Sequence, residues 1–102
     1  MTELFLKVNK DLYKLKLNAN EQLILSYILE FQDKKMPCFI SNESFAEYLN
    51  TSEKTVSRAL KSLEDKGYIC RDTKNVKGGK TRNLTVNLGR INIELHKGQN
   101  DL

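Results

Sequence analysis

Apolar residues follow a helical spacing through the middle of this chain and change to a strand spacing after Gly67. The longest helical run begins at Leu17-Asn18-Ala19-Asn20-Glu21. Asn18 can cap the free N–H groups of the first turn, Glu21 stands three residues on as in a capping box, and Leu17 can staple to the turn that follows. From there to about Gln32, Leu23, Ile24, Leu25, Tyr27, Ile28, Leu29 and Phe31 cover most of the helix circumference. A helix apolar nearly all round is either the buried centre of its domain or keeps a second face for a partner. Asp33-Lys34-Lys35-Met36-Pro37 ends it, because Pro37 has no N–H and disfavours helix at the residue before it. Cys38-Phe39-Ile40 is short and β-like.

Two shorter helices are expected next. Ser41 caps the first, with Phe45, Ala46, Tyr48 and Leu49 facing inward; Asn50-Thr51 makes the turn and Ser52 caps the second. The second, over about 53–66, sets Val56, Leu60 and Leu63 at i, i+4 and i+7 with Ala59 alongside. One apolar stripe on a polar helix is the pattern of a surface helix packed by one face. Gly67 suits the left-handed position just past its end. Tyr68-Ile69-Cys70 then opens a strand, Leu84, Val86 and Leu88 alternate as its antiparallel mate, and Gly78-Gly79 supply positive φ for the hairpin tip. Apolar parity then flips, from 84, 86 and 88 to Ile91, Ile93 and Leu95. A one-residue slip exchanges the faces of a strand, so a bulge or turn is expected at Gly89, with a separate strand or short helix beyond. Near the start, Leu4, Leu6 and Val8 alternate against Phe5 and Lys7 as a short strand, residues 9–15 allow a helical turn, and 97–102 are expected to fray.

A helix-turn-helix followed by a β-hairpin is the layout of a winged helix. The expected fold class is α+β: a three-helix core with a β-hairpin wing and short terminal strands, in one domain over 1–102. The helix-turn-helix occupies about 41–67 and the wing about 68–88. A chain of 102 residues buries roughly two-thirds of its unfolded surface, enough for a core without metal or disulfide. Charge sharpens the picture. Residues 50–82 hold nine Lys/Arg against four acids, a net of +5, while the whole chain is +4. The basic excess is therefore local, as an electrostatic footprint for phosphate requires.

With Val56, Leu60 and Leu63 turned inward, the first two turns of that helix present Glu53, Lys54, Thr55, Ser57, Arg58 and Lys61. In a helix-turn-helix these turns enter the major groove. The base-reading candidates are Lys54, Thr55, Ser57 and Arg58, with Arg58 foremost because a guanidinium fits guanine O6 and N7 bidentately. The phosphate candidates are Ser41, Asn42 and Ser52 at helix N-termini, Lys61 one turn further on, and Lys74, Lys77, Lys80 and Arg82 on the wing, which holds no acid from Thr73 to Arg90. A Lys/Arg face on a helix or hairpin is often only solvated. The two side by side, in winged-helix order, point to a shared polyanion, double-stranded DNA.

Other chemistries find little to stand on. Gly79-Lys80-Thr81 echoes the end of a phosphate-binding loop, but the pattern needs Gly where Lys74 stands and a helix where a strand follows. His96 is the only histidine, and no carboxylate pair lies in an apolar setting, so neither catalysis, metal nor cofactor is expected. Cys38 and Cys70 read as small buried hydrophobes of a reducing compartment, and Tyr27 and Tyr48 as core or interface residues. No stretch approaches a membrane span or a signal sequence, which suits a cytoplasmic protein.

Residues 17–69 resemble the winged helix-turn-helix family of bacterial plasmid and phage replication proteins and small regulators, itself similar to MarR-type and GntR-type winged helices. The likeness is carried by Leu17-Asn18-Ala19, by Phe45, Ala46 and Leu49, by the run Ser52, Thr55, Val56, Ala59, Leu60 and Leu63, and by Gly67-Tyr68-Ile69. It implies DNA at Ser52, Lys54, Thr55, Ser57 and Arg58 but not a biological role; a small transcriptional regulator acting by site occupancy is favoured because 102 residues leave little room for an effector domain. A plasmid or phage origin-binding or centromere-binding role is the alternative, and a winged helix that holds a protein partner is a rival of another class. A homodimer is expected, since one winged helix reads few base pairs. The surplus apolar residues of the first helix and of the termini (Leu4, Leu6, Val8; Ile91, Ile93, Leu95) either supply its interface or complete the chain's own sheet. No small-molecule ligand is evident.

Overall fold

A computed structural model describes residues 12–96. A 3-10 turn at Leu12–Leu15 leads to α1 (Ala19–Asp33), α2 (Asn42–Leu49), α3 (Glu53–Asp65), β1 (Ile69–Val76), β2 (Gly79–Val86) and α4 (Leu88–His96). This is an α+β winged helix: three helices around one core, a two-stranded antiparallel wing, and a fourth helix after it. The strand expected at Leu4, Leu6 and Val8 and the fraying expected over 97–102 lie outside the described residues.

Local sequence sets the helix ends. At α1 the capping box is closed in both directions: Glu21 N donates to Asn18 Oδ1 at 2.9 Å and Asn18 N to Glu21 Oε1 at 3.0 Å. Ser41 and Ser52 cap α2 and α3 by accepting from Ser44 N and Thr55 N, each at 3.1 Å. All three helices end in a left-handed residue, Lys35 (φ 58°), Asn50 (φ 54°) and Gly67 (φ 78°). After α3, Gly67 N donates to Glu64 O and Tyr68 N to Leu63 O, so the last carbonyls are satisfied as the chain turns into β1.

Ile24, Leu25, Ile28 and Leu29 of α1 form the centre of the core. Phe45 of α2, Val56, Leu60 and Leu63 of α3, and Ile69, Leu84 and Val86 at the base of the wing close around them. Gln32 fastens the wing by acting like an extra strand residue: it donates through Nε2 to Val86 O at 3.1 Å and accepts through Oε1 from Val86 N at 2.8 Å.

Several sequence expectations change. Cys38-Phe39-Ile40 forms no strand; it runs beside β2, held by Leu84 N donating to Cys38 O and by Cys38 N donating to Asn83 Oδ1. Leu88 is not in the wing but opens α4. The break falls at Asn87 rather than Gly89, because Asn87 Oδ1 accepts from Arg90 N at 3.0 Å and starts a helix there. Ile91, Ile93 and Leu95 therefore lie on that helix and not on a terminal strand, with Ile91 buried and Ile93 59% exposed. Tyr48 turns outward, 56% exposed, and stacks on Tyr27 at 5.6 Å between ring centroids. Cys38 is buried and Cys70 exposed. Burial pushes the Cys38 thiol up despite a bond from Ile40 N–H and the Arg82 charge, whereas Cys70 stands on the wing face opposite Ile69. The tip also shifts by one residue: Lys77-Gly78 make the loop and Gly79 already pairs with Val76, with φ of 96° at Gly78 and 143° at Gly79.

Candidate nucleic-acid interface

The packed face of α3 decides what its other face offers. Val56, Ala59, Leu60 and Leu63 are buried, which leaves Glu53, Lys54, Ser57, Arg58 and Lys61 exposed and Thr55 half-buried. Of the base-reading candidates, Lys54 and Arg58 form no ion pair among the described residues. Ser57 is exposed as well. Thr55 is engaged locally: the Ser52 hydroxyl donates to Thr55 Oγ1 at 3.0 Å while accepting from its backbone N–H, so the two hydroxyls orient each other at the helix start. Arg58 and Thr55 also border an open concavity of about 310 Å³ shared with Asn18 and Asn20 at the start of α1. Lys61 lies 3.8 Å from Asp65 in a solvent-exposed pair, an arrangement worth at most about 1 kcal/mol and readily exchanged.

The second group stands beside the wing. Ser41 caps α2, and its hydroxyl donates to Ser44 Oγ at 3.2 Å. Lys74 lies 3.9 Å from Asp72, while Lys77 at the tip and Lys80 are exposed and form no ion pair among the described residues. Arg82 and Asn42 behave differently. The Arg82 guanidinium is half-buried and donates through Nη2 to Ile40 O at 3.1 Å and to Asn42 Oδ1. Burial lowers its pKa and the nearby Arg71 charge lowers it further, opposed only by Cys38. Arg82 thus ties the wing to the entry of α2, and Asn42 is its acceptor.

The structure adds residues that are not among the sequence candidates, although Arg71 is in the charge count. Arg71 borders the same region and reaches Glu64 of α3 through Nε at 3.4 Å. Phe39 stands beside it, 54% exposed. Strand parity held the signal for Arg71, which shares its side of β1 with the buried Ile69; nothing in the sequence marked Phe39.

Residues 15–69, more than half of the chain, match the family model described as a helix-turn-helix domain. The chain belongs to the helix-turn-helix domain family. The match covers α1, α2, α3 and the first residue of β1, so the family region contains every base-reading candidate. No curated protein is significantly similar in sequence. Among solved structures, a possible transcriptional regulator from the archaeon Methanosarcina mazei superposes with a TM-score of 0.61 at 20% identity, over 85% of this chain and 73% of that one. MepR of Staphylococcus aureus, a transcription regulator of the multidrug efflux pump MepA, gives 0.57 at 21% identity over 94% and 64%. Its complex with DNA gives 0.58 at 21% over 94% and 63%. At these identities the likeness is one of fold, and this helix-turn-helix chain spans less than two-thirds of the MepR chains.

Proposed function

We propose that this protein binds double-stranded DNA sequence-specifically and acts as a small transcriptional regulator by occupying its site. In this reading α3 enters the major groove, where Lys54, Thr55, Ser57 and Arg58 face base edges. Ser41, Ser52 and Lys61 meet flanking phosphates, and Lys74, Lys77 and Lys80 follow the backbone or minor groove. Asn42 and Arg82 take a positioning role, since their polar atoms already hold each other. The observation that carries the reading is the outer face of α3: Lys54 and Arg58 stand exposed and form no ion pair among the described residues, next to a hairpin whose Lys77 and Lys80 likewise form none. The same fold in a MepR structure solved with DNA supports it. The assignment calls for no catalytic step, and we add a homodimer, supported by apolar side chains left exposed at Leu23 and Ile93.

The test is affinity for duplex DNA against salt. Each phosphate neutralised contributes about 0.9 to the slope of log K on log salt, so binding should weaken steeply with salt. Arg58→Ala with Lys61→Ala should flatten the slope by about 0.9 for the lost phosphate and cost about 1–3 kcal/mol more for a lost base contact. Absent or salt-insensitive binding would favour a protein-binding winged helix, for which the open apolar concavity between Tyr27, Phe31, Met36, Ile40 and Tyr48 is the available surface.

A further inference from the structure

The wing changes character along one of its faces. Register pairs Ile69 with Val86, Arg71 with Leu84, Thr73 with Arg82 and Asn75 with Lys80. Side chains directly opposite in an antiparallel pair, and every second residue along each strand, stand on the same face. At its base that face is core, with Ile69, Leu84 and Val86 buried. Beyond the core it becomes cationic, through Arg71, Arg82 and Lys80. Across a concavity of about 360 Å³ from these three stand Phe39 and Ser41, at the entry of α2.

The concavity holds three cations and several hydroxyls, and among the described residues no carboxylate lines it. The wing's acid, Asp72, has the opposite parity and pairs with Lys74 on the other face. Burial disfavours the charge on Arg82, and the Arg71 charge nearby disfavours it further. The two acceptors of Arg82, Ile40 O and Asn42 Oδ1, are neutral and both take Nη2, so the charge has no carboxylate partner among the described residues. Glu64, which takes Arg71 Nε, lies outside the lining. Lys80 and Arg82 have no carboxylate partner among the described residues, and Arg71 has only Glu64, outside the lining, so the gathered positive charge favours an incoming anion. At the rim Phe39 presents a half-exposed aromatic face that gains by covering apolar surface.

The geometry points to a seat for one phosphodiester of the duplex backbone between the wing and the entry of α2. Arg71 and Lys80 hold the phosphate oxygens, Thr73 and Ser41 add hydroxyl donors, Arg82 braces the floor, and Phe39 packs against the adjoining deoxyribose. The seat rests on the DNA-binding reading above and adds Arg71, Thr73 and Phe39 to it.

A duplex of about 20 base pairs of arbitrary sequence is a sufficient probe, because phosphate contacts dominate non-specific binding. Binding is measured from 50 to 200 mM salt for the wild type, for Arg71→Gln/Lys80→Gln, for Phe39→Ala, and for a Lys16→Gln/Lys35→Gln control that removes two charges elsewhere; thermal melting checks each fold. The seat variant should lose the slope of one phosphate, about 0.9, making its affinity loss across that range about threefold smaller than the wild type's. The control should keep the wild-type slope, and Phe39→Ala should bind severalfold more weakly at every salt concentration with the slope unchanged. If the Arg71 replacement unfolds the hairpin, Lys80→Gln alone should still flatten the slope. Wild-type binding with an unchanged slope in the folded seat variants would overturn the seat and leave DNA binding standing. No duplex binding by the wild type would overturn both.

Discussion

Lys35, Asn50 and Gly67 end three successive helices in the same left-handed conformation, and only one of them is glycine. That conformation costs a side-chain-bearing residue about 1–2 kcal/mol. At Gly67 an added Cβ would come no closer than 3.6 Å, to Arg90 Nε, which is ordinary contact. The cost of Gly67→Ala is therefore conformational: we expect a loss of about 1–2 kcal/mol in urea denaturation. A loss well below that range would mean the turn into β1 relaxes. Caps were legible at this scale because they are local: Asn18, Ser41 and Ser52 each bond a backbone N–H three residues away. Asn87 makes the same bond but went unread, because Gly89 two residues later is the louder turn signal.

At the scale of elements, α1 and α3 meet around a buried acid. Burial alone would raise the Glu21 carboxyl, yet bonds from Ser62 and from Asn18 N–H, together with the Lys66 charge 3.5 Å away, hold it below its ordinary 4.5. A carboxyl lowered in the folded state stabilises above its unfolded pKa, and the contribution fades as pH falls through the folded value. The wild type should therefore lose stability in thermal melts as pH drops below about 4.5, and Glu21→Gln should flatten that fall while lowering stability at neutral pH. Equal pH dependence in both proteins would show that Glu21 does not couple the helices. α1, α2, α3 and both strands were readable from apolar period, whereas α4 was left open between a strand and a short helix. Tyr48 and Leu88 depart from their period because period cannot say where an element's neighbours stop: among the described residues no element covers the outer side of α2 at Tyr48. Cys70, expected buried from its residue type, is exposed because the wing leaves the core after Ile69.

At the scale of the whole molecule, the described residues bring α3 and the cationic wing to adjacent positions beside one core. The base-reading candidates were legible because the stripe on α3 leaves only one outer face. The phosphate seat was not, since it joins Phe39 and Ser41 to Arg71 and Lys80 across a gap that only the packed fold closes. Exposed Leu23 and Ile93 lead us to expect a dimer in sedimentation at micromolar concentration; a strictly monomeric species would remove that part of the account. Sequence-specific reading by α3 is the central claim, and selection of bound duplexes from a random pool tests it most directly. The account predicts a reproducible enriched motif, with guanine preferred at one position and that preference lost in Arg58→Ala. Recovery of duplexes with no common motif would contradict it.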